Sequence, residues 1–383
     1  MPKRKKCLLI TTIILCILTV VFFLLPDYSR QALIHWNPDT DDYRIFYNNR
    51  VENGTPIPWP IAVEYNKTAP GIADLDSLMQ YDPLAFLIIR DDSLLFEQYY
   101  NGHMVQSISN SFSTTKTIVS MLIGCAIKDG YIGSIHDPVL KYLPDVFEHP
   151  TDPALTIGHL LRMSSGFDYD EAYASPFSAT TRSYYGRDLV GQMKELKQRE
   201  APGRNYDYIG ANTQVLAMIL TSVTGKSLSA YASEKLWKPV GAEHDALWSK
   251  DREDGIEKAY CCFSATARDL ARLGKLLCDS GMWNGKEIIP MDYFLEMVKP
   301  SSDIMEEGKP VTFYGLHVWL TQWEGIDVVY ARGIKGQFII VIPSKDIIIV
   351  RLGEKRSDQR TGWHTNDLFF YLRLASRLTG DTI

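Results

Sequence analysis

Cysteine is scarce in this 383-residue sequence, and its six cysteines show no spacing that would build a disulfide framework. Two of them lie inside an apolar N-terminal run, and none belongs to a Cys-x-x-Cys pair. Domains that depend on disulfides are dense in regularly spaced cysteines, so we do not expect that class. Cys125 lies among aliphatic residues, where a buried structural thiol is expected. No role is indicated for the adjacent Cys261 and Cys262.

Patterns typical of metal sites and of α/β-hydrolases are also missing. The eight histidines are scattered and His-Glu-x-x-His does not occur, so we expect no metal and no cofactor. Gly-x-Ser-x-Gly, the nucleophile elbow of α/β-hydrolases, does not occur either. An α/β-hydrolase interpretation therefore lacks its principal signature.

Basic residues are not in excess outside the first six positions. The formal net charge is −6 although residues 3–6 are all Lys or Arg, so the remainder is more acidic still. A nucleic-acid interface needs clustered Lys and Arg, and we therefore expect no nucleic-acid partner. The 45% hydrophobic content is ample for a sizeable core, and disorder is not expected.

The first informative feature is an uninterrupted apolar run over residues 7–25, preceded by the basic segment 1–6 and closed by Pro26. Its length can cross a bilayer. It ends in bulky residues without a small-residue cleavage site, which favours an uncleaved signal anchor over a cleaved signal peptide. A lipoprotein site at Cys16 is a weak alternative. The positive-inside tendency predicts a single-pass cell-membrane protein, with residues 1–6 cytoplasmic and the rest periplasmic or extracellular.

Residues 26–77 are rich in Pro and Asn and show no sustained periodicity. We interpret them as a stalk and N-terminal extension that packs along the main domain, residues 78–383. Residues 85–100 contain two β-rich runs around a polar turn, which predicts a hairpin. Residues 113–128 predict a deeply buried helix that Asp129-Gly130 ends.

The later part of the chain changes from helical to strand-like patterns. Helices are predicted at 156–163, 212–224, 228–236, 267–279 and 367–378, and strands at 316–323, 327–331, 338–342 and 347–351. The predicted fold class is α+β, with one antiparallel sheet built from both chain ends, helices on its faces and a mostly helical insertion.

The candidate nucleophile is Ser113, in a Ser-x-x-Lys that ends at Lys116. Positions i and i+3 share a helix face, so the Lys116 amine should lie near the Ser113 hydroxyl and could take its proton if neutral. A helix N-terminus also favours an oxyanion. The alternative is an N-cap serine with an exposed lysine, because such a tetrapeptide arises by chance about once in a chain this long.

Two further segments could complete such a site. Tyr208 follows the turn at Pro202-Gly203, and a tyrosine there could pass protons between nucleophile and leaving group. The alternative is a half-buried aromatic with a bonded hydroxyl. Glycines in 332–337 would let a substrate backbone approach, and a main-chain N–H there could complete an oxyanion hole with the N–H of Ser113. The alternative is an ordinary hairpin turn.

Several landmarks occur in a familiar order and carry a resemblance to a known superfamily. They are Ser113-Thr-Thr-Lys116, Gly124-Cys-Ala-Ile-Lys-Asp-Gly130, Asp137-Pro-Val-Leu-Lys-Tyr-Leu-Pro144, Thr156-Ile-Gly-His-Leu-Leu-Arg-Met-Ser-Ser-Gly166, Pro202-Gly203, Tyr208 and Val223-Thr-Gly225. Together they resemble the serine β-lactamase and penicillin-binding protein superfamily. The segments 208–216 and 333–337 are most similar to 6-aminohexanoate-dimer hydrolases and related carboxylesterases.

The resemblance implies a Ser–Lys–Tyr acyl-enzyme mechanism. By position, Ser113 is the nucleophile, Lys116 its activating base and Tyr208 the proton shuttle that also helps deacylation. The main-chain N–H groups of Ser113 and Ile334 would hold the oxyanion. Further candidates for contact with substrate are Gly333, Gly336, Gln337 and Asn212.

Two departures from the superfamily bear on its substrates. Gly210 stands where many members have Asn or Ser two residues after the tyrosine, and the Lys-Thr-Gly or His-Thr-Gly triplet has no direct counterpart, with Lys335 shifted from the usual lysine. Both losses argue against efficient β-lactam turnover. We therefore expect a hydrolase of small esters, amides or peptides. A D,D-peptidase or β-lactamase, and a catalytically silent module that binds wall fragments or peptides, are the alternatives.

Overall fold

The computed structural model describes residues 3–381. The first two residues of the predicted segment 1–6 and the last two of the predicted domain 78–383 lie outside this range. The strands are β1 (Tyr47–Val51), β2 (Pro83–Arg90), β3 (Ser93–Tyr99), β4 (Ser109–Asn110), β5 (Ala246–Lys250), β6 (Phe263–Ala265), β7 (Met282–Trp283), β8 (Lys286–Glu287), β9 (Met305–Glu306), β10 (Lys309–Pro310), β11 (Trp319–Trp323), β12 (Ile326–Gly333), β13 (Gln337–Ile342), β14 (Ile347–Gly353), β15 (Arg360–Thr361) and β16 (His364–Thr365).

The α-helices lie before, between and after these strands along the chain. They are α1 (Lys3–Leu24), α2 (Asp27–His35), α3 (Ile72–Met79), α4 (Thr115–Lys128), α5 (Ile157–Leu161), α6 (Ala179–Tyr185), α7 (Leu189–Lys194), α8 (Gly210–Thr224), α9 (Leu228–Ala232), α10 (Ala267–Cys278), α11 (Met291–Met297) and α12 (Asn366–Thr379). A π-helical turn, Ser233–Trp237, continues α9.

The central sheet has six strands in the order β11-β12-β13-β14-β2-β3, and every neighbouring pair is antiparallel. Strands from residues 83–99 therefore lie beside strands from residues 319–353. The predicted hairpin is β2–β3, and its two turn residues, Asp91 and Asp92, have positive φ of 47° and 59°, as a tight hairpin turn requires. The predicted sheet from both chain ends is confirmed.

The sheet is buried on both faces because helices cover each side. Along β13 and β14 alternate side chains enter two separate apolar clusters, with Ile339 and Ile348 in one and Ile340 and Ile349 in the other, as the period of two in a strand dictates. The first cluster includes α10 and α4, and the second includes α12. Continuous burial explains why these strands appear in the sequence as apolar runs.

A second, four-stranded sheet with the order β1-β5-β6-β4 was not expected. The prediction that residues 137–300 are mostly helical is wrong for β5 and β6, which lie inside that range. These strands have only three to five residues, too few for a periodic pattern to stand out. The sheet borders the site because β6 pairs with β4, and β4 ends three residues before Ser113.

The segment 26–77 is more ordered than its composition indicates. It contains α2 and β1, and β1 pairs with β5. Helix α2 packs on α6, and the ring of His35 stacks on Tyr185 at 5.8 Å. Much of the segment therefore belongs to the folded body and contains regular elements that its composition did not indicate.

Helix α1 precedes this body and is mostly apolar after its basic first turn. The most apolar 18-residue window within Arg4–Leu24 has a mean hydropathy of 3.0, and none of it is buried. It is long and apolar enough to cross a membrane, a property that signal sequences near an N-terminus share. Pro26 separates α1 from α2.

Candidate active site

Ser113 lies in a 3₁₀ turn, Phe112–Thr114, that leads directly into α4. The residue before it, Phe112, has a positive φ of 47°, a sparsely populated conformation for a bulky side chain. Neighbouring contacts hold it there: the N–H of Ser111 donates to the Phe263 carbonyl at 2.8 Å, and the N–H of Phe112 donates to Asn110 Oδ1 at 2.9 Å. The small sheet thus fixes the turn that carries Ser113.

Lys116 lies one turn further along and is buried, with 1% of its surface exposed. Its Nζ donates hydrogen bonds to Ser113 Oγ at 3.1 Å and to the Tyr260 carbonyl at 2.9 Å. Within residues 3–381 no carboxylate forms an ion pair with this amine. The alternative of an exposed lysine beside an N-cap serine is wrong, because the amine is enclosed and contacts the hydroxyl.

Tyr208 lies over the same amine from the loop before α8. Its ring centroid is 5.0 Å from Lys116 Nζ, and the Tyr260 ring lies 5.7 Å away on another side. Tyr208 also packs against Tyr314 and Trp319, at ring separations of 6.1 and 5.6 Å. The structure therefore brings Ser113 and Lys116 together with Tyr208, which comes from a distant part of the chain.

Glu171 is a site residue that motif reasoning missed. It lines the cavity beside Ser113 and accepts a hydrogen bond from the N–H of Gly210 at 2.8 Å. The Tyr173 hydroxyl donates to its other oxygen at 2.7 Å. Because Gly210 is two residues after Tyr208, Glu171 fixes the backbone that carries the tyrosine. Its loop has no motif, so the sequence offered no signal for this contact.

The predicted oxyanion segment meets the nucleophile turn through Gly333. A Cβ added there would lie 2.4 Å from the Ser111 carbonyl oxygen, so only glycine allows β12 to come this close. Ile334 follows Gly333 and lines the same cavity as Ser113. The two residues whose N–H groups were predicted to hold an oxyanion are thus both at the cavity.

The other predicted substrate contacts lie outside the cavity lining. Gly336 packs on the Arg351 guanidinium, and its carbonyl accepts from that side chain at 2.7 Å. Gln337 Nε2 donates to the Gly353 carbonyl at 2.6 Å, and Asn212 Nδ2 contacts Met163 Sδ at 3.5 Å. In this geometry the three residues support the fold around the site and do not face Ser113.

Lys335 is also occupied elsewhere. Its Nζ forms ion pairs with Asp39 at 3.0 Å and with Glu354 at 2.8 Å. A lysine held by two carboxylates outside the cavity cannot substitute for one that grips a substrate carboxylate. This agrees with the absence of the usual lysine triplet from the sequence.

The cavity at Ser113 has a volume of about 320 Å³, the lower end of the range for small-molecule sites. Its walls come from α2 and the residues after it, from the loop that begins at Glu171 with the following α6, and from the nucleophile turn with Tyr260, Cys261 and Ile334. Most of the lining is apolar. Glu171 is the carboxylate in this lining.

The cysteines show one feature that the sequence did not indicate. Cys261, which lines the cavity, forms a disulfide with Cys262, and this single bond between adjacent residues is not a disulfide framework. It joins adjacent residues and closes no long loop, so it adds little restraint to the unfolded chain. Burial raises the pKa of the Cys125 thiol to about 12, which keeps it protonated, as expected of a structural cysteine.

One group of potential metal ligands occurs within residues 3–381, formed by Cys278, Asp279 and Asp346. None of the three lines the cavity at Ser113. Lys275 already forms an ion pair with Asp279 at 2.6 Å. The group therefore has a cation partner and no contact with the candidate site.

An antiparallel sheet from both chain ends, packed around a buried helix that opens with Ser-x-x-Lys, defines the β-lactamase/transpeptidase-like class of hydrolases. A family model described as Beta-lactamase matches residues 73–367. The chain belongs to this family.

Relatives within and around the family carry several activities in their names. The 6-aminohexanoate-dimer hydrolase of Paenarthrobacter ureafaciens is 28% identical over 297 residues, which cover 73% of this chain and 74% of the relative. A Bacillus anthracis structure, provisionally named a 6-aminohexanoate-dimer hydrolase, has a TM-score of 0.76 at 22% identity and covers 90% of this chain and 94% of its own. A family VIII carboxylesterase has a TM-score of 0.62 at 16% identity, with coverages of 83% and 98%. At these identities the two structures establish the fold alone.

Proposed function

We propose that this protein is a serine hydrolase that cleaves esters or small amides through an acyl intermediate on Ser113. The observation that carries the proposal is the 3.1 Å contact between Lys116 Nζ and Ser113 Oγ at a buried position. A hydroxyl and an amine at this distance can exchange a proton. An amine at hydrogen-bond distance from a serine hydroxyl is the arrangement that activates a nucleophile.

In the proposed reaction the neutral Lys116 amine accepts the Ser113 proton as Oγ bonds to the substrate's acyl carbon. The carbonyl oxygen becomes an oxyanion that the N–H groups of Ser113 and Ile334 stabilise. The bond to the leaving group then breaks, and the leaving oxygen or nitrogen takes a proton through Tyr208. Water attacks the acyl carbon and gives a proton to Tyr208 and Lys116, which pass it to Ser113 Oγ as the acyl–oxygen bond breaks and the acid is released.

The choice of esters and small amides draws on two observations. One relative is named for hydrolysis of a 6-aminohexanoate dimer and one structural neighbour is a carboxylesterase. In addition, Lys335 is engaged by Asp39 and Glu354, so a group that would grip the carboxylate of a β-lactam is not available from it. Both favour ester and amide hydrolysis over β-lactam turnover.

We also propose that α1 anchors the protein in the cell membrane, with the hydrolase domain on the periplasmic or extracellular side. The support is the apolar stretch Arg4–Leu24 behind basic residues 3–6. The bulky residues at its end oppose cleavage.

The test compares turnover of p-nitrophenyl acetate, a p-nitroanilide and a penicillin by the full chain in detergent. Ester or amide turnover is expected in the wild type and lost in Ser113→Ala. Lys116→Met keeps the shape of the buried side chain and removes the amine, so it should lower kcat at least 100-fold.

Three other results would contradict the proposed function. Turnover of penicillin above the esters and the anilide would replace it with a β-lactamase or D,D-peptidase. No turnover and no acylation with any reagent would replace it with a binding module. Unchanged activity of Ser113→Ala would remove Ser113 from the mechanism.

A further inference from the structure

The wall of the Ser113 cavity is built partly by the helix that follows the apolar N-terminal segment. Ala32 and Leu33 of α2, with Trp36 just beyond it, line the cavity together with Ser113 and Ile334. A substrate bound at Ser113 therefore contacts the N-terminal extension. This arrangement makes α2 part of the binding site.

The same helix connects the cavity to the proposed membrane anchor. Two residues separate the end of α1 at Leu24 from the start of α2 at Asp27. Leu33 is nine residues beyond Leu24 and most of this connection is helical, so the cavity wall lies within about 20 Å of the outer end of α1. Ser29 is buried and α2 packs on α6, so the domain holds α2 firmly. The cavity is thus fixed near the bilayer surface.

Apolar side chains are exposed around the cavity. Trp36 is 77% exposed and Leu33 is 39% exposed. Phe177, which follows the lining residue Pro176 on the opposite loop, is 58% exposed. Neighbouring exposed apolar side chains are uncommon on soluble surfaces, and tryptophan favours the membrane interface. These residues suit contact with hydrocarbon at the point where a substrate enters.

The cavity lies on the acyl side of the reaction. Ser113 and Ile334, which would bind the acyl carbon and its oxygen, line it, whereas Tyr208, which would protonate the leaving group, does not. An acyl group attached to Ser113 therefore extends into the apolar space. The walls favour methylene groups, because burial of each contributes about fourfold in binding.

We propose that the substrate is a membrane amphiphile, an ester or amide whose hydrocarbon acyl chain enters this cavity directly from the bilayer. This rests on the proposed acyl-serine chemistry and adds the substrate class. Ser113 Oγ bonds to the acyl carbon, the leaving alcohol or amine takes a proton, and water releases a fatty acid. The leaving group departs on the Tyr208 side.

The first test measures kcat/KM for p-nitrophenyl butyrate and octanoate with the full chain in detergent. The proposal expects octanoate to exceed butyrate at least tenfold, because at least two of its four extra methylenes should be buried. Leu33→Asp, which puts a carboxylate in the cavity wall, should lower that ratio at least fivefold. Ile34→Asp is the matched control: it changes the next residue, which is 61% exposed and outside the lining, and should keep the ratio.

The outcomes distinguish failure of the amphiphile proposal from failure of the acyl-serine function on which it rests. No hydrolysis of either ester or of a p-nitroanilide, with no acyl adduct on Ser113, overturns the acyl-serine function itself. Hydrolysis of butyrate with an equal or lower rate for octanoate leaves that function standing and overturns the amphiphile. A ratio that Leu33→Asp does not change overturns the cavity as the place of the acyl chain.

The second test concerns delivery from the bilayer. The full chain is reconstituted in phosphatidylcholine vesicles that contain a long-chain acyl ester of a fluorescent alcohol, or in empty vesicles mixed with loaded ones. Hydrolysis at least tenfold faster in the shared vesicles is expected, since the substrate then reaches the cavity within one membrane. Equal rates would overturn delivery from the membrane.

Discussion

Lys116 has four close neighbours, and one of them is a side-chain hydroxyl within hydrogen-bond distance of its amine. Its amine touches the Ser113 hydroxyl, a main-chain carbonyl and two aromatic rings. The carbonyl of Tyr260 accepts a hydrogen bond but has no proton to give. This hydrogen bond orients the amine, so that it can exchange a proton with the Ser113 hydroxyl. At the scale of single residues, the site is therefore arranged for proton transfer from one serine.

Replacement of Tyr208 by phenylalanine isolates the role of its hydroxyl. The ring contacts with Lys116, Tyr314 and Trp319 remain, so the melting temperature should stay within about 2 °C of the wild type. Without a group to pass the proton, kcat should fall about 100-fold or more. Steady-state kinetics and a melting curve check both parts. Wild-type kcat in Tyr208→Phe would show that the leaving group takes its proton elsewhere.

His317 gives a stability prediction with a defined pH range. Burial, together with the nearby charge of Lys116, lowers its pKa to about 3. The unfolded chain binds this proton below about pH 6.5, whereas the folded chain does so only near pH 3, so stability falls as pH drops through that window. Asparagine tolerates the positive φ of 57° at this position.

The variant for this test is His317→Asn. Between pH 7 and pH 5 the wild type should lose about 2 kcal/mol more stability than the variant, because 1.36 kcal/mol accompanies each pH unit below 6.5. Melting temperatures of both proteins at the two pH values provide the comparison. An equal loss in both would mean that His317 is already protonated in the folded state.

At the scale of elements, the contact of β12 with the 3₁₀ turn aligns the two N–H groups of the proposed oxyanion hole. In Gly333→Ala the new Cβ would overlap the Ser111 carbonyl oxygen, and the strand end or the turn must move. We expect a loss of about 1–3 kcal/mol in stability and a larger than tenfold fall in kcat. Kinetics and melting curves measure both.

Gly71→Ala is the matched control for this substitution. Gly71 has a negative φ of −61°, and a Cβ there would approach no atom closer than 3.6 Å. It should keep wild-type activity and lose at most about 1 kcal/mol of stability, since alanine is less favourable than glycine at the N-cap of α3. If Gly333→Ala behaves like this control, the close approach of β12 to the nucleophile turn has no part in catalysis.

Elements with a strong periodic or continuous apolar pattern were predicted well from the sequence. The buried helix predicted at 113–128 is α4 after one 3₁₀ turn, and the predicted late strands are β11–β14 within one to three residues. Short elements with mixed composition, such as α2 and β5, were missed. Their stability comes from neighbours in space, α6 and β1 respectively, and such contacts leave no local signal.

The candidate site divides in the same way. Ser113 and Lys116 were predicted from their spacing together with the resemblance in the order of landmarks, and the structure places their side chains in contact. Glu171 was missed because its contact with Gly210 joins two loops. Gly336, Gln337 and Asn212 lay near the right segments, but the direction of each side chain depends on strand and helix packing that spacing alone does not determine.

At the scale of the whole molecule, one end of the chain supplies both the proposed anchor and a wall of the cavity. If α1 crosses the membrane, the full chain should stay with membranes after extraction with high salt and with alkaline carbonate, and detergent should release it. Fractionation of cells that express the full chain tests this. Release by salt alone would contradict the anchor, and a shortened mature chain would indicate cleavage.

The most direct measurement of the central claim is the mass of the full chain after brief incubation with a p-nitrophenyl ester, followed by peptide mapping of the adduct. We expect an added acyl group on Ser113 of the wild type. The adduct should be absent from Ser113→Ala and should accumulate in Tyr208→Phe, because deacylation of that variant is slowed. An adduct on another residue, or ester hydrolysis that continues in Ser113→Ala, would contradict it.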